Sequence, residues 1–131
     1  MMPRSASPKA EYRQRQIQRA NDSATLAELF PQLKLLRLDL AYFQPDGLTR
    51  SGALIYKVNV QHAKSIFTFA CPNNDCIGGD FDLSAAIAEA VRARRKTTEG
   101  EVQCQGSRVK AKLPSLPCQN ILRYKLTLGY A

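Results

Sequence analysis

The chain has one histidine, no apolar run longer than a few residues, and no acidic residue between positions 102 and 131. Each shortage excludes something. A membrane-spanning helix needs about 20 consecutive apolar residues, and none are present. The opening stretch "MMPRSASPKAEYRQRQIQRA" has no apolar centre that could serve a secretory leader. These two features lead to the expectation of a soluble cytoplasmic protein, a setting in which disulfides are uncommon. The lone histidine, His62, falls at a predicted strand end or turn, which leaves little material for acid–base catalysis. "CIGGD" has adjacent glycines but no lysine to complete a phosphate loop. Asp80 and Asp82 in "GGDFDLS" suit a turn and a helix cap better than a carboxylate pair. No enzyme is expected.

The acid shortage is local. The whole chain carries 19 Lys and Arg against 11 Asp and Glu, a formal charge of +8. Residues 1–20 hold Arg4, Lys9, Arg13, Arg15 and Arg19 against Glu11 alone. "RARRK" adds Arg92, Arg94, Arg95 and Lys96, and the C-terminal third adds Arg108, Lys110, Lys112, Arg123 and Lys125. Residues 71–91 reverse the sign, with Asp75, Asp80, Asp82 and Glu89 and no base. Segregation of this kind is the footprint of a polyanion-binding surface, or else a set of solvated faces.

Hydrophobic residues make up 44% of the 131, enough for one domain with its own core. Residues 1–22 are expected to form a basic arm, flexible or helical, and 23–131 a single compact domain. Within the arm, residues 1–6 read as disordered, and Ser7-Pro8 resembles a cap followed by proline in the first helical position. The helix beyond it is polar on nearly every face, so burial cannot hold it. Thr25 and Glu28 have capping-box spacing ahead of Leu26, Leu29 and Phe30, and Pro31 stops that turn. Next come period-two patterns. Leu36, Leu38, Leu40 and Tyr42 share one side of a strand; Leu54, Tyr56, Val58 and Val60 share one side of a second; "IFTFAC" makes a third. Short links predict an antiparallel three-stranded meander. Residues 82–96 predict one long helix, capped by Asp82, with Leu83, Ala86, Ile87, Ala90 and Val91 on one face. Strands near 101–105 and 107–113 are expected to flank a turn at Gln105-Gly106. A last strand sets Leu122, Tyr124, Leu126, Leu128 and Tyr130 on one side. The fold class predicted is α+β, a mostly antiparallel sheet with the helix packed across it.

The chemistry-bearing residues are Cys71, Cys76, Cys104 and Cys118. Thiolates presented from strand ends and turns suit tetrahedral zinc, and four of them close its coordination sphere. The spacing is one C-x4-C pair and two isolated cysteines 13 residues apart, looser than paired knuckles. In layout the set resembles the zinc-ribbon class distantly. Neighbouring carboxylates disfavour free thiolates, a conflict that a bound dication removes. Unliganded thiols, disulfides and an iron–sulfur cluster remain alternatives, as does mixed ligation by Asp75, Asp80 or His62.

Two functions fit. One is a small zinc-stabilised nucleic-acid-binding protein, with RNA or the ribosome favoured over duplex DNA. Its contacts to phosphate would come from Arg13, Arg15, Arg19, Arg92, Arg94, Arg95, Lys96, Lys110, Lys112, Arg123 and Lys125. The other is a protein-interaction adaptor whose arm folds onto an acidic partner and whose zinc is purely structural. Neither implies a membrane or a small-molecule substrate.

Overall fold

The structure, a computed structural model, describes residues 8–72, 76–77, 80–104, 106–108 and 116–131. The expected disorder of residues 1–6, the Ser7 cap, Asp75, Gln105, Lys110 and Lys112 fall outside these residues. So does most of the strand expected at 107–113.

The chain opens with helix α1 (Pro8–Asn21), in which Pro8 occupies the first helical position. Helix α2 (Leu26–Leu29) is a single turn with the capping box complete: Thr25 accepts from the Glu28 amide, and the Glu28 carboxylate accepts from the Thr25 amide. Strands β1 (Leu33–Phe43) and β2 (Arg50–Val58) form an antiparallel hairpin. The short pieces β3 (Thr68–Phe69), β4 (Cys76–Ile77) and β5 (Phe81–Asp82) lead into helix α3 (Ser84–Arg92). Strand β6 (Thr97–Gln103), the short β7 (Ser107–Arg108) and β8 (Leu116–Pro117), and the long β9 (Ile121–Tyr130) complete the chain.

The main sheet is antiparallel, in the order β2-β1-β9-β6. Leu36, Leu38 and Leu40 stand across from Leu128, Leu126 and Tyr124. Opposed residues share a face, so one side of the sheet is a leucine layer. α3 lays Ile87, Ala90 and Val91 into the same core, and Phe81 and Leu83 fill it from the segment before the helix. All of these helix and segment residues are almost wholly buried.

Four expectations are corrected. The meander stops at two strands, because the third pairs with β5 instead of β2. The turn at residues 63–65 explains the diversion: Ala63 O accepts from Leu26 N, and Ser65 N donates to Ala24 O. Those bonds, with a bridge between Thr25 and Lys64, tie the chain to α2 and lead it off the sheet edge. The helix is short, nine residues, and Leu83 takes its N-cap position. Asp82 belongs to β5, although its carboxylate still accepts from the Ser84 amide. Among the described residues the strand near 101–105 makes no hairpin with its successor; β6 lies along β9, while β7 joins β4 and β8 in a separate small sheet. Finally, Leu54 and Tyr56 alternate as expected and yet stay 43% and 44% exposed. They lie on the edge strand, where the leucine layer runs out.

Candidate metal centre

The four cysteines arrive from four places. Cys71 follows β3 and Cys76 opens β4; Cys104 follows β6 and Cys118 follows β8. Small strand pairings set the spacing. Cys76 stands across from Arg108, Ser107 across from Pro117, and the Cys118 amide donates to Gly106 O at 3.0 Å. The Cys104 amide donates to Asn120 O at 2.7 Å. Backbone hydrogen bonds thus fix both C-terminal cysteines against one another across the intervening residues.

All four side chains are buried, at 1–4% exposure, and their sulfurs lie within 4.8 Å of one another. Cys71 Sγ lies 3.6 Å from Cys118 Sγ, and Cys76 Sγ lies 3.5 Å from Cys104 Sγ. A tetrahedron with metal–sulfur bonds of about 2.3 Å has edges of about 3.8 Å. A disulfide needs about 2.05 Å. No disulfide joins these four cysteines, and their cage has the dimensions of a tetrahedral thiolate site. The close pairs each join an early cysteine to a late one, so the cage staples the two halves of the chain.

Donors point at the sulfurs as well. Gly106 N donates to Cys104 Sγ at 3.4 Å, and Asn120 Nδ2 to Cys71 Sγ at 3.6 Å. Such N–H groups favour the thiolate form and are the usual outer layer of a metal–thiolate site. Without a cation, burial works the other way. It pushes the Cys104 thiol up to about 12, against the lowering effect of the Gly106 amide. It drives Cys76 well above the ordinary thiol range, helped by the neighbouring Cys104. Four sulfurs buried together, with N–H donors already aimed at two of them, make a poor core but a good ligand set. The residues present fit a bound dication, with Cys71, Cys76, Cys104 and Cys118 as its ligands. His62, by contrast, is exposed in the turn at residues 59–63. Asp80 is taken up by an arginine.

The expected phosphate contacts divide into groups. Arg13 Nη1 meets Asp80 Oδ2 at 2.6 Å and also donates to Thr68 Oγ1, with the Arg13 side chain 34% exposed and that of Asp80 9%. Lys9 Nζ donates to Cys71 O at 2.9 Å, next to the cage. Arg19 approaches Asp82 at 4.0 Å, and Arg15 is exposed. The arm is thus a docked helix, held by cations on the acidic stretch that sequence segregation left unexplained. Arg123 Nε donates to Glu101 Oε2, Nη2 donates to Gly47 O, and the guanidinium lies 4.4 Å from the Phe43 ring centroid. Lys125 faces Glu99 on β6 and Asp39 on β1. The C-terminal strand, all base in sequence, receives its acids from neighbouring strands. Arg92, Arg94, Arg95 and Lys96 differ: all are exposed, and among the described residues none makes an ion pair.

Reading the sequence alone missed Asn120, 1% exposed, and Gly106, whose amides serve the sulfurs. Their nearness to Cys118 and Cys104 was the available signal. No protein-family profile, curated protein or solved structure gives a significant match to this chain.

Proposed function

We propose that this chain is a small zinc-stabilised nucleic-acid-binding protein, without catalytic activity, that contacts phosphates of RNA or a ribonucleoprotein through the turn after α3. The carrying observation is the unpaired basic block Arg92, Arg94, Arg95 and Lys96. Arg94 sits at φ +51°, a left-handed conformation that costs most side chains about 1 kcal/mol. Its guanidinium lies 4.9 Å from the Tyr130 ring centroid. Tyr130 Oη donates to Arg95 O at 2.8 Å, which holds the turn in place. A helix end and the turn after it, together carrying four cations, suit phosphate contact with low sequence specificity. Four thiolates around zinc leave no open position for substrate, so the metal has a structural role in this reading.

Fluorescence anisotropy with a labelled single-stranded RNA tests it. Each phosphate neutralised adds about 0.7 to the slope of log affinity against log salt, so four contacts give a slope near −3 on that scale. Replacing Arg94 and Arg95 with alanine is expected to flatten the slope by roughly 1.4. Affinity that ignores salt, or that survives loss of all four cations, overturns the reading.

A further inference from the structure

A second surface lies at the opposite edge of the main sheet. Edge strands are normally blunted, because their unpaired N–H and C=O groups template association. β6 follows that rule, with Glu99 and Glu101 and no large exposed apolar residue. β2 does not. Leu54, Ile55 and Tyr56 are consecutive and exposed by 43%, 60% and 44%. Among the described residues no strand pairs with its outer side.

Both faces flanking that edge are shaped. On the leucine side, Tyr56 borders a groove of about 250 Å3 between β2 and α1, with Ile17, Phe67 and Phe69 among its walls. Ile17, 40% exposed, is the one large apolar residue that α1 leaves open. The charges in that groove are Arg13, which is already paired with Asp80, and Lys64. On the other side, Lys34, Arg37 and Lys57 border a second groove of about 400 Å3, without an acid in its wall. Arg37 keeps a bond to Asp39 at 3.1 Å, which leaves Lys34 and Lys57 as the open cations.

We infer that the outer edge of β2 docks an extended segment of a partner protein in which apolar and acidic residues alternate. The segment adds a strand to the four-stranded sheet. The pleat sends alternate residues to opposite faces. Apolar side chains of the added strand cover Leu54 and Tyr56 and reach the groove beside Ile17. Carboxylates on the other face meet Lys57 and Lys34. A second copy of this chain is the poorer occupant. β2 contains Arg50 and Lys57 and no acid, so self-pairing gathers cations along one seam. The inference is independent of the RNA reading, since the basic turn sits beside β6 and β9 at the far edge.

The test uses the full chain and two fluorescein-labelled decapeptides, one alternating valine with glutamate and one alternating valine with lysine. The glutamate peptide is expected to bind at least about tenfold more tightly. Amide exchange at residues 53–57 should slow on binding. Lys57→Glu should reverse the preference between peptides, and Tyr56→Ser should weaken both without changing the circular dichroism of the protein. Failure of the glutamate peptide to bind, equal binding to Lys57→Glu, or protection that maps elsewhere overturns the inference. So does elution of the free protein as a dimer with residues 53–57 already protected, which assigns the edge to a second copy. Competition for the edge by single-stranded RNA assigns it to nucleic acid and overturns it equally.

Discussion

Gly100 shows how one missing side chain can settle a strand. It stands across from Tyr124, and a Cβ built on it would come 2.5 Å from the phenolic oxygen and 2.7 Å from the ring carbon that bears it. The ring packs over the glycine backbone, so Gly100→Val is expected to cost about 1–3 kcal/mol by overpacking. Adding Tyr124→Leu should recover part of that loss, a coupling readable in a double-mutant cycle by urea denaturation. Two additive losses would show that the ring moves aside freely. Asn120 is the comparable residue in the cage. Its side-chain amide donates to Cys71 Sγ while its backbone carbonyl binds the Cys104 amide. Asn120→Ala removes the first bond and keeps the second, and zinc affinity is expected to fall about 10- to 100-fold. Competition with a chromophoric chelator measures this; an unchanged affinity would remove Asn120 from the metal's surroundings.

At the scale of elements, α1 is held by ions where burial is insufficient. Arg13 and Asp80 are its main fastening, and Arg13→Ala should lower stability by about 1.5–3 kcal/mol, the range for hydrogen bonds to charged groups. Faster amide exchange confined to Pro8–Asn21 is the expected signature; exchange spread evenly over the sheet would mean that the helix does not open on its own. The β1–β2 loop has its own ionic lock. Asp46 accepts from the Leu48 and Thr49 amides and the Thr49 hydroxyl, which hold its carboxyl below the usual 3.8. A depressed carboxyl contributes order above its unfolded value and loses that contribution as pH falls through the folded one. NMR titration should therefore find the Asp46 carboxyl below 3.8, with loop amides at 46–49 broadening only under more acid conditions. Elements of this kind were unevenly legible. The capping box at Thr25 and the leucine alternation in β1 and β9 are local, and they read directly. The choice of partner for β3 was not local: it depends on backbone bonds from residues 63–65 to residues 24–26. Alternation in β2 revealed which residues share a face, but not that the helix layer ends before reaching Leu54. Charge misled for the same reason, since Glu99, Glu101 and Asp80 answer their bases only after folding.

For the whole molecule, the cysteine cage links segments that lie far apart in the chain. It joins residue 71 to residue 118 and residue 76 to residue 104, and so links the segment before α3 to the segment before β9. The leucine layer and α3 provide a core on one side of the sheet only, while β2 and β6 stay largely open to solvent. The four cysteines that cluster were visible in the sequence by residue type. Their convergence was not, because it depends on the small β4-β7-β8 sheet. Structural zinc contributes on the order of 10 kcal/mol at neutral pH in small peptides. A domain of this size has a total stability of roughly 5–15 kcal/mol. Removing the metal should therefore abolish cooperative folding of the cage and of the strands it anchors, and not merely soften a loop. Purified protein is expected to contain about one zinc per chain by elemental analysis. Strong chelator should collapse amide dispersion across β6 and β9, and added zinc should restore it. Acid should act in the same direction, since protons compete for the thiolates. Cys118→Ser should reproduce the chelated state at neutral pH without chelator. A metal-free chain that keeps its dispersed spectrum and melts like the parent would show that hydrophobic packing alone sustains the sheet.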